Sequence, residues 1–178
     1  VENVLDDGNV AAEHAPSIVE IGAGTGYYLA HALDTIERSR GVGIDVSTAA
    51  AKRLATSHSR VGAVVADAWS RLPILSESVD AIMVVFAPRN AAEFARILTP
   101  EGQVVVLTAE VGHLGELREP LGILDVEEGK VERMINQASG HLVPVGDPEH
   151  IEFPMKLDQA SITAPVSYTH LRAHETPE

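Results

Sequence analysis

Val19-Glu20-Ile21-Gly22-Ala23-Gly24-Thr25-Gly26 is an apolar run feeding a glycine turn, and its reading decides the fold. Nineteen residues after Gly26, a second apolar run, Val42-Gly43-Ile44-Asp45-Val46, carries an acid near its end. This pairing is how a nucleoside cofactor is held. The glycines let backbone approach the ligand, and the second strand's carboxylate accepts from the ribose hydroxyls. A dinucleotide fingerprint, G-x-G-x-x-G, would need its third glycine at Tyr27 when counted from Gly22. The spacing therefore speaks against a nicotinamide oxidoreductase.

Outward from that turn, β-rich runs alternate with helical stretches, the pattern of β-α-β units around a mostly parallel sheet. The expected strands are 17–22, 41–46, 62–66, 79–86 and 103–108. The expected helices are 26–38, a segment capped by Ser47 and running to about 57, and 90–98, which stops before Pro100. Helical patches near 113–119 and 125–138 precede strand candidates 141–145 and 150–157, which could form an antiparallel pair. The fold expected is thus α/β and Rossmann-like, with helices on both faces.

Composition narrows the class. A chain of 178 residues with 45% hydrophobic content and mean hydropathy of +0.06 suits one globular domain. No run approaches the roughly 18 apolar residues of a membrane span, and no basic-then-apolar leader opens the chain, so a cytoplasmic location is expected. Zero cysteines exclude disulfides and cysteine-ligated zinc within the sequence, and no metal is expected. The net charge of −13 and pI near 4.9 make the chain by itself a poor clamp for phosphates. The sequence gives no oligomeric state.

In an open parallel sheet the ligand sits beyond the carboxyl ends of the strands, and the candidate residues fall there. Glu20 closes the first strand, where a carboxylate can attract a cationic ligand or order the loop amides. Gly22, Gly24 and Gly26 allow close backbone approach. Asp45 can accept two ribose hydroxyls, each charge-assisted bond contributing roughly 1.5–3 kcal/mol. Asp67 follows the third strand and can accept from an adenine amine, with Ala68 or Trp69 along the ring. Phe86, Ala87, Pro88 and Arg89 follow the fourth strand and would face an acceptor.

The E-x-G-x-G-x-G pattern resembles motif I of the Rossmann-like S-adenosylmethionine-dependent methyltransferases. Three further stretches sharpen the match. They are Phe86-Ala87-Pro88, then Ala92-Glu93-Phe94-Ala95-Arg96-Ile97-Leu98, then His113-Leu114 with Glu116-Leu117. Together with Gly24-Thr25-Gly26-Tyr27-Tyr28-Leu29 and Phe153-Pro154-Met155-Lys156-Leu157, they resemble the bacterial 23S ribosomal RNA guanine-N1 methyltransferases over about 17–166. The resemblance implies S-adenosylmethionine as cofactor, contacted by Gly24, Thr25 and His113, and 23S ribosomal RNA as the partner. It further implies methyl transfer to N1 of a guanine; no residue is assigned as the general base.

The family's zinc ribbon has no counterpart here, and its Gly-His-Tyr segment is matched only by Gly8-Asn9-Val10. Residues 1–16 are accordingly expected to be a linker remnant. Ser167-Tyr168-Thr169-His170-Leu171-Arg172 resembles translated adaptor sequence, so 167–178 is expected to be a non-native tail and 17–166 the methyltransferase domain. Two alternatives stay open: a methyltransferase acting on a small molecule, which suits the acidic surface, and a cofactor-binding fragment without activity.

Overall fold

The structure is a computed structural model that describes residues 15–117, 128–152, 154 and 156. The chain divides after Leu107 into two units, residues 1–107 and 108–178. The first holds a five-stranded, all-parallel sheet in the order β3-β2-β1-β4-β5. Its elements are β1 (Ser17–Ile21), α1 (Tyr27–Thr35), β2 (Arg40–Asp45), α2 (Thr48–Leu54), β3 (Val61–Val65), β4 (Val79–Val85), α3 (Ala91–Ile97) and β5 (Leu98–Leu107). Right-handed crossovers from β1 to β2 to β3 run one way along the sheet, and the crossover from β4 to β5 runs the other. The right-hand rule therefore puts α1 and α2 on one face and α3 on the opposite one. The direction reverses between β1 and β4, which is where open α/β sheets bind ligands.

The core on the α1–α2 face is a cluster of Ile18, Ala23, Leu29, Leu33 and Leu54, with Ala81 and Met83 packed against it. Leu29 and Leu33, four residues apart, present one stripe of α1 to the sheet. They come close because β2 has no side chain beneath them. A Cβ on Gly41 would lie 2.9 Å from Leu29 Cδ1, and one on Gly43 would lie 2.6 Å from Leu54 Cδ2. β1 is buried from Ile18 to Ile21, as a central parallel strand must be. At its start, Asp80 Oδ2 accepts from the Ser17 N–H at 2.8 Å and the Ser17 hydroxyl at 2.7 Å, fixing β1 against β4.

The helices are shorter than their sequence pattern. α1 stops at Thr35 because Ile36 turns extended, and Arg38 then adopts a positive φ of 63°. The orphan carbonyls there are collected by Arg60, just before β3. Its guanidinium donates to Leu33 O, to Ile36 O at 3.3 Å and to Ser39 O at 2.8 Å. A cation at this end also suits the helix dipole. Ser47 caps α2 as expected, its Oγ accepting from the Ala50 N–H.

Two expectations are corrected. β5 begins at Leu98 directly after α3, not at 103, and Pro100 lies inside it. The proline is tolerated because, among the described residues, β5 is an edge strand paired only with β4. Its cost shows in the register, which jumps from Val79↔Leu98 to Ala81↔Gln103. The backbone at Gly102 presses so near β4 that a Cβ would sit 2.9 Å from Val79 O. The second unit contains α4 (Lys130–Ala138), starting after a left-handed Gly129. The strand candidates at 141–145 and 150–157 do not form a pair, since residues 141–152 contain no strand. Pro144 and Pro148 remove ladder donors, and a lone hairpin is marginal in water. Val143 and Val145 are accordingly 86% and 87% exposed. Residues 153, 155 and 157 lie outside the described residues, as do 118–119 and 125–127 of the expected helical patches.

Replacing Arg60 by Ala leaves these carbonyls to water or unpaired. Stability in urea denaturation is expected to fall by about 2 kcal/mol, with Arg60→Lys recovering only part because one ammonium cannot reproduce the fork.

Candidate functional site

The loop after β1 is a tight turn in which each glycine has its own reason. Gly22 (φ 66°) faces Ala87, and a Cβ there would lie 2.6 Å from Ala87 Cβ. Gly26 (φ 86°) is the N-cap of α1, and a Cβ there would meet Ser57 Oγ at 2.5 Å and Leu54 Cδ1 at 2.7 Å. Gly24 (φ 54°) differs, because a Cβ would meet nothing within 4 Å. Two glycines are thus filled by protein and one faces open space. The turn is closed by Gly26 N–H donating to Ala23 O at 2.9 Å and anchored by Ala23 N–H donating to Ile44 O at 3.0 Å. Thr25 is exposed beside Gly24.

A helix beginning on glycine has no side-chain cap and must find acceptors elsewhere. Glu20 supplies one. Its Oε2 accepts from the Leu29 N–H at 3.1 Å, although the residue is only 1% exposed. Burial raises its carboxyl from the ordinary 4.5 to about 7; the Leu29 bond pulls it down and the nearby Asp45 charge pushes it up. The bond to Leu29 has Glu20 ordering the first turn of the helix that follows the loop.

Asp45 ends β2 with both oxygens engaged. Oδ2 accepts from the Gly24 N–H at 2.8 Å and Oδ1 from the Ser47 N–H at 2.8 Å. Each carboxylate oxygen keeps a further lone pair, so Asp45 can hold the loop and still accept hydroxyls. Asp67 lies in a turn after β3, exposed, with Oδ1 accepting from the Trp69 N–H at 2.9 Å. Ala68 is half-buried and Trp69 is 65% exposed. After β4, Phe86 takes φ of 50°, rare for a bulky residue. Its N–H donates to Leu107 O at 3.0 Å while its ring is 44% exposed. That turn drives Ala87, 6% exposed, against Gly22. Pro88 and Arg89 follow, both half-buried.

The structure therefore brings Glu20, the three glycines, Thr25, Asp45, Asp67, Ala68 and Phe86–Arg89 to one rim of the sheet. His113 belongs to the second unit, in a turn where its N–H donates to Glu110 O at 3.0 Å. Among the described residues no group of three or more His, Asp or Glu side chains could hold a metal ion, and no helix is long and apolar enough to cross a membrane.

Sequence reasoning missed one connecting residue. Asn90 Oδ1 accepts from the Glu93 N–H at 3.3 Å, capping α3, while Nδ2 donates to Ala68 O at 3.3 Å and Trp69 O at 3.2 Å. One side chain thus ties the post-β3 loop to the post-β4 segment. Arg96 and Glu93 extend the clamp. Arg96 donates to Leu72 O and Ile74 O, and Glu93 Oε1 accepts from the Leu72 N–H at 2.7 Å. The Arg96 bond holds the Glu93 carboxyl below its usual range. An Asn directly before a helix signals a cap; its donor role has no sequence signal.

A glycine loop at the switch point of a parallel sheet, with an acid beyond each of the next two strand ends, is the Rossmann-like arrangement that holds a nucleoside cofactor. Residues 18–102 match the family model described as a methyltransferase domain. More particularly, the chain is 42% identical over 133 residues to a Micromonospora griseorubida protein named as a candidate 23S rRNA (guanine-N1)-methyltransferase, covering 75% of this chain and 45% of that one. It is 36% identical over 161 residues to the 23S rRNA (guanine(748)-N1)-methyltransferase of Streptomyces fradiae, covering 90% and 57%. The chain thus spans about half the length of the curated relatives it matches. Among solved structures, a chain from the complex of the Haloferax volcanii Trm112 methyltransferase activator with a candidate methyltransferase superposes with a TM-score of 0.55. It is 24% identical, over 89% of this chain and 79% of that one.

Two outcomes are expected. Because Glu20 titrates at about 7 folded and 4.5 unfolded, its protonation stabilises the fold fully below pH 4.5, and that contribution is lost as pH rises towards 7. The span corresponds to about 3 kcal/mol. Relative to the unaltered chain, Glu20→Gln should gain stability at pH 8 but not at pH 4.5 in paired urea titrations. Asn90→Ser should keep the α3 cap but lose about 1 kcal/mol of loop anchoring, lowering the melting temperature by about 2–4 °C and weakening S-adenosylhomocysteine binding, as read by thermal denaturation and calorimetry.

Proposed function

We propose that the chain is the S-adenosylmethionine-binding part of a methyltransferase whose acceptor is N1 of a guanine in 23S ribosomal RNA. The observation that carries the cofactor assignment is Gly24, the one loop glycine facing open space, with its N–H held by the carboxylate that closes β2. The residues fit such a group. Asp45 would accept the ribose hydroxyls, the Asp67 turn with Ala68 would flank adenine, and the Gly24–Thr25 backbone would line the amino-acid portion. Glu20, buried behind the loop, would keep those amides aimed. When bound, the cofactor supplies a methyl made electrophilic by its sulfonium charge. The protein's task is then positioning and exclusion of water.

Phe86 to Arg89 form the acceptor side, and the two named relatives support guanine N1 in ribosomal RNA as the acceptor. N1–H must lose its proton as the methyl arrives, and the target nucleotide would be turned out of its stack to reach the rim. A cytoplasmic location follows from that substrate. An acceptor of low molecular weight is the second reading, favoured by the net charge of −13.

Calorimetry should show S-adenosylmethionine binding and no NAD binding, with Asp45→Ala weakening the former at least tenfold. Preference for NAD would overturn the cofactor assignment. Primer extension on treated 23S ribosomal RNA should stop at the modified guanine, since N1 methylation blocks pairing. An intact, cofactor-binding chain that gives no stop would argue for the small acceptor.

A further inference from the structure

Aromatic side chains belong mostly inside, yet four of the five Phe, Tyr and Trp side chains among the described residues are exposed. Tyr27 is 75% exposed, Tyr28 42%, Trp69 65% and Phe86 44%, whereas Phe94 is 1% exposed. All four exposed rings stand beyond the carboxyl ends of the strands. Tyr27 and Tyr28 open α1 after the glycine loop and meet edge to face, with centroids 5.2 Å apart and an interplanar angle of 86°. Trp69 follows β3 and Phe86 follows β4. Their loops are fixed to one another, Trp69 through its carbonyl to Asn90 and Phe86 through Ala87 against Gly22. From β3 to β4 is three strand spacings, about 15 Å.

The charges on this rim match no phosphate clamp. Its cations are Arg71, exposed, and Arg89, half-buried, set against Asp45 and Asp67. Aromatic faces interleaved with a few guanidinium groups suit the stacking of unpaired bases.

We infer that the rim made by Tyr27, Tyr28, Trp69 and Phe86 is a stacking surface for unpaired nucleobases, so that this domain recognises its RNA by splayed loop bases rather than by backbone phosphates. The inference rests on the ribosomal RNA reading above. It gives the strained turn at Phe86 a reason, because a left-handed residue there aims its ring outward while Ala87 packs inward.

The test uses the whole 178-residue chain saturated with S-adenosylhomocysteine, and Trp69, the one tryptophan of the sequence, as the fluorescent reporter. An RNA hairpin with an unpaired guanine-containing loop is titrated beside the same stem closed as a duplex. The hairpin is expected to quench Trp69 and the duplex is not. Tyr27→Ala, Tyr28→Ala and Phe86→Leu should each weaken hairpin binding about 5- to 150-fold, with Tyr27→Phe retaining it. The log-affinity against log-salt slope should stay near about −1.4, the value for two phosphate contacts on a single strand.

Equal binding of duplex and hairpin, a slope steeper than about −4, or variants that bind like the unaltered chain would overturn the stacking surface and leave the RNA reading standing. Binding of S-adenosylhomocysteine with no hairpin binding at any concentration would overturn both. Unchanged melting temperatures establish that a weakened variant has lost contacts rather than its fold.

Discussion

The hydrogen bond from the Leu29 N–H to the buried Glu20 carboxylate is the interaction from which the rest of the site follows. α1 must start on a residue without a side chain, because Leu54 and Ser57 occupy the space a Cβ at Gly26 would need. A helix started that way has amide donors but no local acceptor. The acceptor is brought from β1, on the strand's own core-facing side, and the consequence is a carboxyl desolvated to about 7. Elsewhere a group so placed would be a liability. Here it satisfies an amide in the first turn of α1 while Asp45 holds the Gly24 N–H from the neighbouring strand.

The same logic joins the other strand ends. Asp45 holds Gly24 from β2, Ala87 fills the space above Gly22 from β4, and Asn90 holds the post-β3 loop from the start of α3. Each tie is short, and each crosses from one strand end to another. A rim assembled this way is preorganised. Ligand binding need not order four separate loops, and the entropy otherwise lost in doing so is already accounted for in folding.

Much of this was legible in the sequence, because the residues responsible act locally or at fixed spacing. The glycine turn, the acid on β2 and the Ser47 cap follow from backbone geometry that any sequence must satisfy, and once the strand order is known, handedness places the helices. What was not legible depends on partners far along the chain. Arg60 closes α1 from 24 residues beyond Ile36, and no pattern within the helix announces it. Pro100 reads as a terminator until β5 is known to be an edge. Asn90 reads as a cap, since its amide donors find carbonyls only after the loop from β3 has folded back. Val143 and Val145 alternate like a strand, but alternation describes a face and does not supply the sheet that would cover it.

The acidity of the chain and the RNA reading conflict only if affinity must come from phosphates. Stacking contributes about 1–3 kcal/mol per base whatever the net charge, since every base has an apolar face. Two or three stacked bases would bring about 2–9 kcal/mol, which spans binding weaker than millimolar to about micromolar. Such a contribution selects an unpaired loop over a helix and steadies one base near the acceptor side. It cannot by itself distinguish one ribosomal loop from another. On this view the domain holds cofactor by backbone and carboxylates, presents aromatic faces to whatever base is extruded, and leaves long-range attraction to surfaces of opposite charge.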